Sequence, residues 1–171
     1  YGEEGEICFC APNIMVGYFK NPKETDNIIK VHADGKKWIH TGDLGSVNQD
    51  GFLRFQGRIK KIYLTKGSDN SVYKLYPMQI ENELEKIEDI LECGTIVVPD
   101  QEKIHVAIAF VRVKVGLEKE TVRGKILEFA RAHLPEHAVP QKIVLIEKMP
   151  YTQSNKIDYK KLEEKYRKEN R

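Results

Sequence analysis

Apolar and polar residues alternate differently in the two parts of this chain. From Glu6 to Gly57 short apolar runs, EICFCAP, WIHTGD and SVNQDGFLRFQG, are separated by turn residues, a pattern of antiparallel β structure. Asp50-Gly51 predicts a hairpin, because glycine accepts the positive φ that a tight turn demands. One short helix is expected around NPKETDNIIKV. After Gly57 the periods lengthen. RIKKIYLT reads as a strand with basic flanks and KGSDNSVYKL as a polar loop. Pro77 suits the first position of a helix, where its missing N–H costs nothing, and Ile80, Leu84, Ile87 and Leu91 keep one apolar face at helical spacing. CGTIVVPD and HVAIAFVRV are β-branched runs on either side of DQEK and predict a second hairpin. A helix from about Lys119 to Leu134 turns Val122, Ile126, Phe129, Ala130 and Leu134 inward. KIVLIE is a last strand, and Asp158 is placed to cap a charged terminal helix. The order β, loop, α, β, β, α, β, loop, α gives the second part an α+β fold class, with a boundary near Gly57 to Lys61.

Composition removes several function classes. The 171 residues are 40% hydrophobic and 32% charged, which fits a globular chain of one or two domains. A net charge of +2 offers no field for nucleic acid or an anionic membrane, and no aromatic pair on a strand face favours RNA. No apolar run approaches the roughly 18 residues that span a bilayer, and no leader pattern opens the chain, so a cytoplasmic location is expected. Cys8 and Cys10, two residues apart, share a strand face rather than form a zinc knuckle. With Cys93 they are expected to be reduced, buried thiols, and no metal ligands are predicted. YGEEGEICFCAP opens on a strand-like run without a starting methionine, so the chain reads as a fragment.

Candidate chemistry lies at four places. Thr41-Gly42-Asp43 ends a strand in a turn, leaving a carboxylate that could accept hydrogen bonds from both hydroxyls of a ribose; on the tripeptide alone, a turn aspartate bonding its own backbone is favoured. Gly57-Arg58-Ile59-Lys60-Lys61 sets three cations at the boundary. The arginine fork suits phosphate or ribose oxygens, and solvated edge-strand charge explains the run equally well. TKGSDNSVYK lacks the spacing of a triphosphate loop. His133 to His137 matches the H-x-x-E-H zinc pattern, but Pro135 breaks the helix that would align the two histidines. Lys156 stands in QSNKID between Pro150 and the terminal helix, where by position alone it is an ordinary surface lysine.

Four segments in order resemble the C-terminal portion of the adenylate-forming enzymes, the superfamily of acyl-CoA synthetases, luciferases and peptide-synthetase adenylation domains. GEICFCAPNIMVGYFKNPKET, WIHTGDLGSVNQDGFLRFQGR, YPMQIENEL and MPYTQSNKIDYKKL carry the resemblance, which covers essentially the whole chain. It implies that residues 1–59 are the β-rich edge of a large AMP-binding domain and residues 60–171 a small α+β lid, with a hinge near 58–61. It implies ATP-dependent conversion of a small carboxylic acid to an acyl adenylate, followed by transfer to the thiol of CoA. Mg2+ would be held mainly by a preceding part of the family fold, which also carries the phosphate loop, so the 171 residues alone are expected to be inactive.

By the same resemblance Thr41 and Asp43 fall in the nucleotide-binding segment, with Asp43 on the ribose hydroxyls and Arg58 beside them. Lys60 falls on the hinge. Gly67 and Ser68 fall in the loop that faces the thioester step, which looks lengthened around Ser71 to Lys74. Lys156 is the catalytic lysine that bridges carboxylate and phosphate. Asn155 and Tyr159 stand where the family carries glycine and arginine. The alternatives are an adenylation domain that loads a carrier protein and a non-catalytic α+β binding module.

Overall fold

A computed structural model describes residues 1–170. The chain divides into a first compact unit, Tyr1–Lys61, and a second that begins at Ile62.

In the first unit one long strand, β3 (Lys37–Val47), organises the rest. β1 (Gly5–Phe9), β2 (Ile29–Val31) and β4 (Leu53–Arg58) all pair with it antiparallel. The β3–β4 hairpin turns at Gly51, whose φ of +83° is the left-handed value that the Asp50-Gly51 signal requires. α1 (Pro22–Ile28) begins at Asn21, whose side chain accepts the Glu24 N–H at 3.2 Å, with Pro22 at a position that needs no donor.

In the second unit a three-stranded sheet is covered on both faces. β7 (Ile90–Asp100) and β8 (Ile104–Val113) are antiparallel, and β9 (Lys142–Leu145) lies parallel to β8. The period of two along β8 divides the core: Ala107, Ala109 and Val111 pack against α2 (Pro77–Leu84) and α3 (Lys119–His133). Ile108 and Phe110 face the opposite way, with Met149 and Leu162 of α4 (Tyr159–Glu169). β8 is the middle strand, which is why its sequence is apolar without alternation. Among the described residues, no helix is long and apolar enough to cross a membrane.

Four expectations are corrected. The segment read as the polar loop KGSDNSVYKL contains a strand, β6 (Val72–Leu75), paired with β5 (Tyr63–Lys66); its inward positions, Tyr73 and Leu75, alternate with exposed Val72 and Lys74. The strand read from Arg58 is interrupted, because Ile59–Lys61 form a 3-10 turn. The helix read through Leu91 ends at Leu84: Ile90 begins β7 and Leu91 points to solvent. Of the three free thiols only Cys93 is buried, while Cys10 is exposed past the end of β1.

Candidate functional site

Thr41-Gly42-Asp43, expected to end a strand in a turn, instead lie inside β3, where pairing with β1 and β4 continues past them, and short bonds within the first unit hold them. Thr41 Oγ1 donates to the Ile7 carbonyl at 2.8 Å and accepts the Asp43 N–H at 3.0 Å. Gly42 takes a φ of +69° and donates its N–H to Glu6 Oε1 at 2.9 Å. A Cβ there would meet only Arg58 Nη1, at 3.9 Å, an ordinary contact, so glycine is required by conformation and not by crowding. Register sets Asp43 opposite Arg58, and Arg58 Nε lies 2.8 Å from Asp43 Oδ1 while Nη1 donates to the Thr41 carbonyl at 3.2 Å. Oδ1 is buried and accepts no aligned hydrogen bond from the protein. The pair balances its charge and keeps acceptor capacity for a hydroxyl donor. Thr41, Asp43 and Arg58 therefore come together. Lys60 stands exposed in the 3-10 turn, with no ion-pair partner among the described residues.

Gly67 and Ser68 form the tip of the β5–β6 hairpin in the second unit. Gly67 N–H donates to the Ser71 carbonyl at 2.9 Å, and the Asn70 N–H returns to the Gly67 carbonyl at 3.1 Å. Instead of a lengthened loop the tip is a tight turn, because Val72 already pairs with Lys66. A Cβ at Gly67 would sit 2.7 Å from the Tyr73 ring and 2.8 Å from Asp69 Oδ1. The tip is fastened at two further points: Ser68 Oγ donates to Glu136 Oε2 at 2.8 Å, and the Tyr73 and His137 rings stack with centroids 4.3 Å apart. The Tyr73 hydroxyl donates to Asp69 at 2.7 Å, which holds the Asp69 carboxyl below its usual range and pushes the phenol up.

Lys156 closes a small hairpin of its own. Tyr151 and Ile157 form a bridge, Thr152 N–H donates to the Lys156 carbonyl at 2.8 Å, and Asn155 N–H donates to the Thr152 carbonyl at 3.1 Å. Asn155 carries the turn with a φ of +57°, a left-handed value that asparagine tolerates better than most residues. Asp158 then caps α4 through the Lys161 N–H. Backbone bonds fix the loop, and the exposed Lys156 ammonium has no hydrogen-bond or ion-pair partner among the described residues. No such bond joins it to the Gly67–Ser68 turn.

Sequence reasoning missed the carboxylate that supports this loop. Glu81, on α2, is buried; it accepts the Thr95 N–H at 2.6 Å and the Tyr159 hydroxyl at 3.1 Å on each oxygen. Tyr159, at the first turn of α4, thus ties α4 and α2 to β7. Burial and then the Glu81 charge push its phenol well above the usual range. The departure from arginine at 159 was the available signal, and the buried glutamate one turn into the Pro77 helix was the other half.

Residues 79–156 match the family model for the AMP-binding enzyme C-terminal domain. These residues belong to that family. Relatives of the chain around this AMP-binding C-terminal domain include the 2-methylpropanoate–CoA ligase of Humulus lupulus, 33% identical over 90% of this chain and 26% of that protein. The long-chain-fatty-acid–CoA ligase of Salmonella typhimurium is 32% identical over 97% of this chain and 27% of that protein. Among solved structures, the amide bond synthetase McbA of Marinactinospora thermotolerans matches with a TM-score of 0.79 and 26% identity, over 95% of this chain and 31% of that one. ATP-bound MatB of Rhodopseudomonas palustris matches with a TM-score of 0.76 and 25% identity, over 96% and 31%. The chain spans 26% and 27% of the length of the two ligases named.

Proposed function

We propose that the whole protein is an ATP-dependent, AMP-forming acyl-CoA ligase, in which a carboxylic acid and ATP give an acyl adenylate and pyrophosphate, and the acyl group then passes to the CoA thiol. The ligase names of its relatives support this class. The observation that carries the mechanism is Lys156, an unpaired ammonium on a backbone-fixed loop. Adenylation brings two anions together, and a positioned cation stabilises the charge that develops between them. In the same reading the part-exposed Asp43 carboxylate accepts the ribose hydroxyls, Arg58 orients Asp43 and adds a donor, and Thr41 holds the Asp43 N–H. Lys60 is the hinge about which the lid reorients between half-reactions, and the Gly67–Ser68 turn serves thioester formation. Mg2+ accompanies the nucleotide and is held mainly outside these residues. The 171 residues by themselves are expected to lack adenylation activity.

The likeness to an amide bond synthetase favours a second reading, in which the acyl group goes to an amine instead of CoA. Both readings share the first half-reaction. In the full-length protein, Lys156→Ala should slow carboxylate-dependent pyrophosphate release by about 10²–10³-fold, the loss of one preorganised charge contact. Thioester formation from supplied acyl adenylate should remain near the unmodified rate. Equal losses in both half-reactions would remove Lys156 from this role.

A further inference from the structure

Register on the first-unit sheet brings together three side chains that the sequence does not connect. Cys8 on β1 is the direct cross-strand partner of His40 on β3, and Glu6 lies two residues before Cys8, on the same face of the strand. Glu6 Oε2 is 2.7 Å from His40 Nδ1, Cys8 Sγ is 3.5 Å from the same nitrogen, and all three ligand atoms lie within 4.8 Å of one another. We propose that Glu6, Cys8 and His40 bind a borderline-soft divalent cation of the zinc class.

The spacing is close to what such an ion requires. With bonds of about 2.0–2.1 Å to nitrogen or oxygen and about 2.3 Å to sulfur, tetrahedral geometry places sulfur about 3.5 Å from nitrogen, and oxygen about 3.3 Å from nitrogen. The Cys8–His40 separation already meets that value. Glu6 moves back by about half an ångström, the difference between a hydrogen bond with neutral His40 and shared ligation, and the Glu6–Cys8 pair, within 4.8 Å, closes toward about 3.5 Å. The donor set of one thiolate, one imidazole and one carboxylate suits zinc, cobalt or nickel. It is unsuited to Mg2+, which takes oxygen ligands.

The surroundings orient each ligand. Glu6 Oε1 is held by the Gly42 N–H at 2.9 Å, leaving Oε2 for the ion. His40 Nε2 lies 2.9 Å from His32 Nε2, so with Nδ1 on the metal the Nε2–H donates to His32. His32 is in turn stacked on Trp38, whose indole N–H donates to Asp34. Three protein ligands leave a fourth position for water, and the half-exposed Cys8 and His40 give the ion access from solvent. Binding converts the Cys8 thiol to thiolate and releases one proton per ion.

Cobalt(II) is the probe. Titrated into the 171-residue chain after chelator treatment, it should bind once per chain, with thiolate-to-cobalt absorption in the near ultraviolet, and zinc should displace it while Mg2+ does not. Cys8→Ser should abolish that absorption and lower affinity at least a hundredfold, with an unchanged far-ultraviolet circular dichroism spectrum. Cys10→Ser should leave both intact. His32→Ala, which removes only an orienting partner, should weaken binding by about 10–100-fold and keep the absorption. No charge-transfer absorption in the unmodified chain overturns the site, as does absorption that survives Cys8→Ser or vanishes in Cys10→Ser.

Discussion

In the second unit the candidate groups stand on hairpins beside a sheet buried from both sides, whereas in the first they stand on a sheet with few buried side chains. Backbone bonds shape the Lys156 loop and the Gly67–Ser68 turn, and the core around β8 and its helices gives them a rigid base. Asp43, Arg58 and Thr41 have little core beneath them; of the β3 side chains only Leu44 is buried among apolar residues. Their positions depend on particular hydrogen bonds accepted by the Ile7 carbonyl, Glu6 and Thr41 Oγ1. Both units shape their candidate segments with local bonds, but only the second rests them on a packed core, so the same kind of substitution should have different effects in each.

Phe110 is the sharpest test of that contrast, because it is fully buried in the α4-side core. Phe110→Ala should cost about 3–5 kcal/mol in urea unfolding, and a loss below about 1 kcal/mol would mean that the two-sided core does not carry the unit. Next comes Glu81→Ala, which leaves the Thr95 N–H and the Tyr159 hydroxyl without their acceptor and should cost about 1.5–3 kcal/mol. Tyr159→Phe keeps the ring and should cost about 0.5–1.5 kcal/mol near neutrality. Its pH dependence has a definite sign. The folded-state phenol is raised, so its contribution is complete below the ordinary phenol range and is lost as pH climbs through it, when the unfolded chain ionises first. Tyr159→Phe should therefore flatten the alkaline fall of stability, and an unchanged slope would deny the Glu81 contact. The smallest effect is predicted in the first unit: Arg58→Ala should change stability by about 0–1 kcal/mol, since Arg58 is largely exposed, yet it should raise the KM for ATP in the full-length protein.

Much of the second unit was legible because its strands are β-branched and its helices start at Pro77 and Asp158, local signals that agree with the tertiary outcome. The helix over Pro77 was read too long because Ile87 and Leu91 continue its period by coincidence; only the pairing of Ile90 with Val113 fixes where the chain turns. β6 was missed because Ser71, Lys74 and the neighbouring glycine and asparagine outweigh a two-residue apolar alternation. At the site, Asp43 and Arg58 are marked by their motifs, but the ion pair between them is set by strand register. The Glu81–Tyr159 bond spans 78 positions and Glu6–His40 spans 34, and neither separation leaves a local pattern to read.

The Tyr159 contact also bears on how α4 fluctuates. A helix opens first where its buried contacts are fewest, and in α4 the first turn is held best, where the phenol meets Glu81 and Leu162 is sealed in the core. Amide hydrogen exchange should be graded along the helix, slow near Leu162 and fast toward Glu169, with protection at Lys156 and Ile157 following the slow end. Motion of the lysine loop would then be set by the opening of a single helical turn.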